Sequence, residues 1–467
     1  MSKRWTIVFA VFCLVCVGMP LFVQGQSLND SKIRYELLKK LICKVDKSKP
    51  MKQGGGFIVS PDCTRVAYVV CEKVKEFIVV DGKENKRYDC ISDRYPIFSP
   101  DSKRVAYIAQ QGEKQFVVVD DEEGKGYDGI WEGSLIFSPD SRQLAYVAQI
   151  GNEDFVVVNG IEEKHYEAVG DIAFSSDSKQ LAYVAQKGNK QFVVVDGKED
   201  KQYDNIKSLI FSPDKNKIAY IATEGDKQFV VVGGKEDKQY DNIKSLIFSP
   251  DGKRLAYIAE QDDEEFVVLD GVEQKHYYGI YSFVFSPDSK RFAYVANLTA
   301  PRDDVKMTSS PIPNVTPVLN VATISYADPI PIVPGSTPPQ SLKFVVIIDG
   351  KESEIQYNGL RTAFLKFSPD SKRFACSVYY DSGSGITFVD GKRLSRFGGI
   401  PFFSPDSKRI AFINRNSIFI IDDSYFENYG SIGEKVIFDS PNSLHWVALE
   451  RDVNQNALCV LVKIKIK

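Results

Sequence analysis

The chain has 467 residues, 43% of them apolar and 26% charged, which is enough to fold around a sizeable core. Fifty-nine basic residues against 62 acidic ones leave a net charge of −3. That excludes a general polyanion binder and gives no electrostatic reason to expect nucleic acid. Aromatic residues reach 12% and histidines number three, which argues against a histidine-based metal enzyme or a Ser-His-Asp hydrolase.

The first element reads as an address. Lys3 and Arg4 precede an apolar run from Thr6 to Val23, broken by Gly18 and Pro20. Val23-Gln24-Gly25 then places small or apolar residues where a cleavage site needs them. Residues 1–25 read as a secretory signal peptide. The rival is an uncleaved anchor helix, since the run approaches membrane-spanning length. Pro20 and the Gly25 site favour cleavage. The mature protein is then expected outside the cytoplasm, secreted or periplasmic, with no membrane segment beyond the signal. Six cysteines remain: Cys43, Cys63, Cys71, Cys90, Cys376 and Cys459. None forms a Cys-x-x-Cys pair, so neither a zinc knuckle nor a thioredoxin-type site is offered.

Residues 26–56 form a lead-in. Ile33, Leu37, Leu41, Ile42 and Val45 have helical spacing, which predicts a short amphipathic helix over 31–44.

Residues 57–467 repeat one unit. Phe-Ser-Pro-Asp begins at Phe98, Phe137, Phe211, Phe248, Phe285, Phe367 and Phe403, with variants at Val59, Phe174 and Phe438. From Phe137 to Phe285 the step is 37 residues each time. In Lys244 to Ile280, Ser245–Ser249 is a short apolar strand and Pro250–Lys253 a tight turn. Arg254–Ala259 is a second strand and Phe266–Leu269 a third. Asp270-Gly271 signals a hairpin, and Lys275–Ile280 is an outer strand. The second and third strands are apolar at consecutive positions, so both faces are buried. An alanine recurs in the second strand, from Ala67 to Ala411, and lets neighbouring sheets approach. Four-stranded sheets buried on both faces and repeated at this period predict an all-β fold, the β-propeller.

The Phe-Ser-Pro-Asp-(Ser/Gly)-Lys-Arg-x-Ala-Tyr core resembles the WD40-like repeat of TolB-type propellers, across roughly residues 57–467. It lacks the Trp-Asp and Gly-His dipeptides of true WD40 repeats. The resemblance implies the fold strongly and the function weakly, because the motif is turn and core chemistry. Ten repeat starts predict about ten blades, in one large ring or two smaller abutting ones. The last repeat ends after its third strand. Lys44–Gln53 is the candidate for its fourth, with Cys43–Cys459 as a latch.

Function is sought where the repeat symmetry breaks. The largest departure is 299–341, inside blade seven, which holds nine of the 22 prolines and reads as a tolerated surface loop or a binding arm. Arg94, Tyr95, Trp131, Glu132, Tyr281, Arg361, Tyr379 and Tyr380 depart from the repeat on the same face and are the candidate binding residues. The Lys-Arg pairs and the acidic clusters 120–123 and 262–265 read as solvated turns. His165 and His276 read as outer-edge substitutions. No catalytic constellation, metal site or cofactor motif is found, and Gly-x-Ser-x-Gly is absent. The sequence therefore predicts a non-enzymatic exported propeller that binds a protein or glycan partner. The alternative is a propeller enzyme, a glycan lyase, hydrolase or lactonase, with its site at the channel mouth.

Overall fold

The structure is a computed structural model that describes residues 35–466, except 47, 54–55, 93, 95, 216, 299–342, 359, 381–384, 396–398, 414–418, 422–423, 427–434 and 453–456. The expected signal segment and the Pro-rich insertion lie outside the described residues.

Every described element is a strand or a turn, and the strands form ten antiparallel sheets in succession along the chain. Blade six shows how the sequence builds one. Its strands are Asn242–Phe248, Leu255–Gln261, Glu264–Leu269 and Val272–Glu273, from inner edge to outer. The Ser-Pro-Asp turn closes on its own side chains. Ser249 Oγ donates to Asp251 Oδ1 at 2.6 Å and accepts from the Arg254 amide at 2.9 Å. The residue after Asp251 has a positive φ, 71° at Gly252, and Ser102 in blade two matches it at 63°. Asp270 and Gly271 both have positive φ, as a tight two-residue hairpin requires. The outer strand is shorter than the sequence suggested. Tyr277 touches Glu265 through an isolated bridge, and Gly279-Ile280 already belongs to the inner strand of blade seven.

The second and third strands are buried on both faces. The repeated alanines, Ala67, Ala106, Ala145, Ala182, Ala219, Ala256, Ala293, Ala375 and Ala411, are all fully buried. Apolar clusters join each blade to the next: Ile221 and Val230 pack with Tyr257 and Phe266 between blades five and six. Ala375 and Val389 pack with Phe403 between eight and nine, and Ala411 packs with Trp446 between nine and ten. The circle then closes. Cys43, Val447 and Cys459 of blade ten pack against Tyr68, Phe77 and Val79 of blade one. His445 Nε2 lies 2.8 Å from the Asp62 carbonyl across the same joint. The packing makes one ring of ten blades.

The closing strand is a correction to the sequence reading. Tyr35–Val45, expected in large part to be a helix, is a strand paired antiparallel with Ala457–Ile466 at the outer edge of blade ten. It replaces Lys44–Gln53 in that role, and Met51 instead bridges to Val70 in blade one. Cys43 and Cys459 are direct cross-strand partners, both buried and both thiols. A hydrogen bond between the sulfurs holds Cys43 below the usual thiol range and pushes Cys459 above it.

The Lys-Arg pairs are not simply solvated. Arg65, Arg104, Arg254, Arg291 and Arg373 each place the guanidinium over the Phe-Ser-Pro-Asp phenylalanine of the next blade, 5.1–5.5 Å from its centroid. The acids also cross joints. Glu123 accepts from Tyr88 Oη at 2.8 Å, and Glu265 accepts from the Ile280 amide at 2.7 Å. His165 and His276 stack on Phe155 and Phe266 with centroids 4.1 Å apart, so they are edge packing residues.

Candidate functional site

Three adjacent blades break the symmetry of the inner strands: in blade one Ile58–Val59 stands apart from the bridge of Met51 to Val70. In blade five the inner strand Asn205–Phe211 is continuous. In blades two and three it splits, into Cys90–Ile91 with Ile97–Phe98 and Gly129–Ile130 with Ile136–Phe137. Two extra residues per blade separate the halves, visible in the sequence as a step of 39 from Phe98 to Phe137 against 37 afterwards. The surplus chain leaves the sheet as a corner at the inner edge.

The corner of blade three is held by its backbone. The Trp131 amide donates to Val147 O at 3.0 Å. Ser134 Oγ donates to Trp131 O at 2.7 Å and accepts from the Val147 amide at 3.0 Å, replacing the ladder bonds that the split removes. The indole itself remains 49% exposed. A large aromatic side chain on a fixed backbone loses little entropy when it docks.

The two corners touch. Ser92 Oγ donates to Glu132. Arg94 Nη1 lies 3.1 Å from the point a β-carbon on Gly133 would occupy, and Gly133 has φ +87°. The positive φ favours glycine there, and the guanidinium packs close over it. Arg94, Trp131 and Glu132, singled out in the sequence, therefore form one patch with a cation, an indole and an anion.

Tyr281 does not join it. Tyr281 packs edge-on to Phe344 of its own blade at 5.2 Å, and burial, with Glu265 nearby, pushes its hydroxyl up to about 12. It is a packing residue. The Tyr379 and Tyr380 backbones lie in the second strand of blade eight, paired with Thr362 and Leu360. Arg361 lies in the adjoining inner strand, and the side chains of all three are outside the described residues. Tyr95 is also outside them.

The structure adds residues that the sequence reading passed over. Lys52, Ser92 and Lys207 share the register of Trp131 on the inner edges of blades one, two and five, opposite Val69, Ile108 and Ile221 as Trp131 is opposite Val147. Lys52 pairs with Glu76 at 2.9 Å, and Lys244 with Glu260 at 3.0 Å. Burial depresses Lys207 below the usual lysine range. The signal was available: a lysine interrupts an apolar strand in Ile-Lys-Ser. Among the described residues, no three His, Cys, Asp or Glu side chains converge as a metal site, and no helix is long and apolar enough to cross a membrane.

No protein-family model and no curated protein matches the chain. Among solved structures, a eukaryotic initiation factor is similar at 11% identity, over 82% of this chain and 91% of that one, with a TM-score of 0.45. TolB from Acinetobacter baumannii is similar at 16% identity, over 47% and 61% of the two chains, with a TM-score of 0.28. The propeller domain of the Trilobed protease from Pyrococcus furiosus is similar at 14% identity, over 52% and 89%, with a TM-score of 0.30. These likenesses are low, and the fold stands on the sheets themselves. Ten four-stranded units packed in a closed circle make this chain a β-propeller.

Proposed function

We propose that the protein is a non-catalytic binding platform that works outside the cytoplasm and holds a polypeptide or glycan partner at the joined corners of blades two and three. One observation carries the reading. Trp131 stays half exposed on a pinned backbone, with Arg94 and Glu132 beside it, where blades four to eight keep an unbroken inner strand. Interfaces concentrate their energy in such aromatic and arginine anchors. The basic, apolar and small-residue pattern of 1–25 supports export.

The test is quantitative capture from the extracytoplasmic fraction of the producing cell. Trp131→Ala and Arg94→Ala are compared with Ile161→Ala, a control at an exposed outer hairpin. A partner lost about tenfold with either corner variant and kept by the control fits the reading, since a hot-spot side chain carries about 1.4 kcal/mol or more. Identical capture by all three contradicts it. Deleting 299–341 in parallel tells whether that segment contributes.

A further inference from the structure

The joint between blades three and four lacks a part that five other joints share. At those five, an arginine just before the second strand reaches across to the next blade. Arg65 shows the pattern. Its Nε binds Asp81 at 2.7 Å, its Nη1 donates to the Ser102 and Lys103 carbonyls at 3.2 and 2.6 Å, and its guanidinium lies 5.3 Å from the Phe98 centroid. Arg254, Arg291 and Arg373 repeat each of these contacts. Arg104 repeats the aspartate and aromatic ones, on Asp120 and Phe137.

In blade three both partners are neutral. Gln143 stands where the arginine would be, and Asn159 where its aspartate would be. The Asn159 side chain still caps the Leu144 amide at 2.9 Å, so the turn survives without the charge. Gln143 Nε2 reaches Ser178 O at 2.6 Å and provides one of the carbonyl contacts, but it has no guanidinium to cover Phe174. A cleft of about 170 Å³ opens there, lined by Gln143, Phe174, Lys179, Tyr183, Glu163 and Asp196. Phe174 is half buried, and Glu163 and Asp196 are exposed at the rim. Tyr183 is 2% exposed, and its buried hydroxyl makes no hydrogen bond. The next two joints also lack the arginine: Gln180 Nε2 binds Asp196 at 3.0 Å in blade four, and Lys217 and Gly233 hold the two places in blade five.

We propose that this cleft is a binding site for a guanidinium group, presented as an arginine side chain, that takes the place of the missing repeat arginine. The aromatic face of Phe174 and the Lys179 backbone are the kind of contacts the chain uses for its own arginines, and the rim carboxylates of Glu163 and Asp196 take the part of the aspartate that Asn159 has replaced. The two carboxylates outnumber the single Lys179 ammonium. An aromatic face with nearby acceptors selects a planar, multidentate cation over a compact ammonium. The site lies at the Ser-Pro-Asp turns, the opposite end of the inner strands from the Trp131 corner, and it stands whether or not that corner binds a partner.

The test uses the full mature chain and three probes: N-acetyl-arginine amide, its neutral isostere N-acetyl-citrulline amide, and a short flexible peptide with one central arginine. Binding is followed by NMR shift changes and calorimetry. The arginine amide is expected to bind at least about tenfold more tightly than citrulline, with shifts at Phe174 and Ser178. The double variant Gln143→Arg with Asn159→Asp restores the internal pair. It should fill the cleft, raise the melting temperature and lose the ligand. Glu163→Gln, at an exposed position, should weaken binding several-fold without altering the fold. A peptide that binds more tightly than the amide marks a polypeptide source, and equal affinity marks a free guanidinium compound. Equal binding of arginine and citrulline overturns the proposal, as does full binding by the filled double variant.

Discussion

Tyr203 Oη donates to Glu236 Oε1 at 2.9 Å across the joint between blades four and five. The same bond recurs from Tyr240 to Glu273 at 3.0 Å and from Tyr277 to Glu352 at 3.1 Å. Each glutamate also receives a lysine from the preceding blade: Lys201, Lys238 and Lys275 in turn. Blades are thus stitched at their outer edge as well as packed at their faces. Tyr203→Phe should cost about 1 kcal/mol in urea unfolding, the net worth of one hydrogen bond, with no change of fold. A loss above about 3 kcal/mol would show that the bond holds more than one joint.

The tyrosines set the alkaline limit. Burial pushes Tyr107 and Tyr220 up to about 12, against an ordinary value of 10.0. A raised folded value gives stability that is complete below the unfolded value and is lost as pH rises through the folded one. The melting temperature should therefore fall steadily above about pH 10. Most of the phenolate absorbance should appear together with unfolding, because the repeat tyrosines are buried. Most of it appearing well before the loss of structure would contradict this.

The acid side follows the opposite sign. Lys164 and Lys238 hold Glu199 and Glu273 below the ordinary carboxylate value of 4.5. Depressed values give stability present above the unfolded value and lost as pH falls through the folded one. These pairs are near the surface, so the loss per pair is small and weaker in high salt. Melting temperatures measured below about pH 4.5, at low and high salt, check both parts.

Gly252 is an exception to the repeat that must remain one. Ser102, Ser141 and Ser178 hold the same turn position with positive φ. A β-carbon on Gly252 would fall 2.6 Å from the Asp214 carboxyl and 2.7 Å from its amide nitrogen. Gly252→Ser should therefore destabilise by about 1–3 kcal/mol, although it restores the commoner residue. A neutral or stabilising result in thermal unfolding would contradict the close approach.

Cys43 and Cys459 face each other across the closing pair of strands. Exposure to oxidised glutathione should join the two sulfurs, with both thiol hydrogens leaving on two molecules of reduced glutathione. Tryptic mapping without reductant should then give one peptide linking residues 43 and 459. The bond spans nearly the whole chain, so it should stabilise by up to about 5 kcal/mol. Two separately alkylated cysteines would contradict the pairing.

The blades were legible because their turns repeat with fixed chemistry. Ser-Pro-Asp and Asp-Gly specify local geometry, and the consecutive apolar strands between them specify burial. The closing strand was hidden by a bulge between Leu41 and Cys43, which breaks the two-residue alternation that marks a strand. Leu41 is exposed although apolar, so the helical spacing counted a residue that faces solvent. The role of the arginines was hidden by distance along the chain. Arg65 meets carbonyls 37 and 38 residues away, and local reading sees only a charged turn. The Trp131 corner was half legible: the residue stood out, but its contact with the blade-two corner depends on packing.

Ten blades form one closed ring, sealed by the strand Tyr35–Val45. Cryo-electron microscopy of the protein, classified along the ring axis, tests this closure. Ten blades in a single closed circle, with density for Tyr35–Val45 on the outer edge of the last, is the predicted result. Two smaller rings, or a circle open between the last blade and the first, would contradict it.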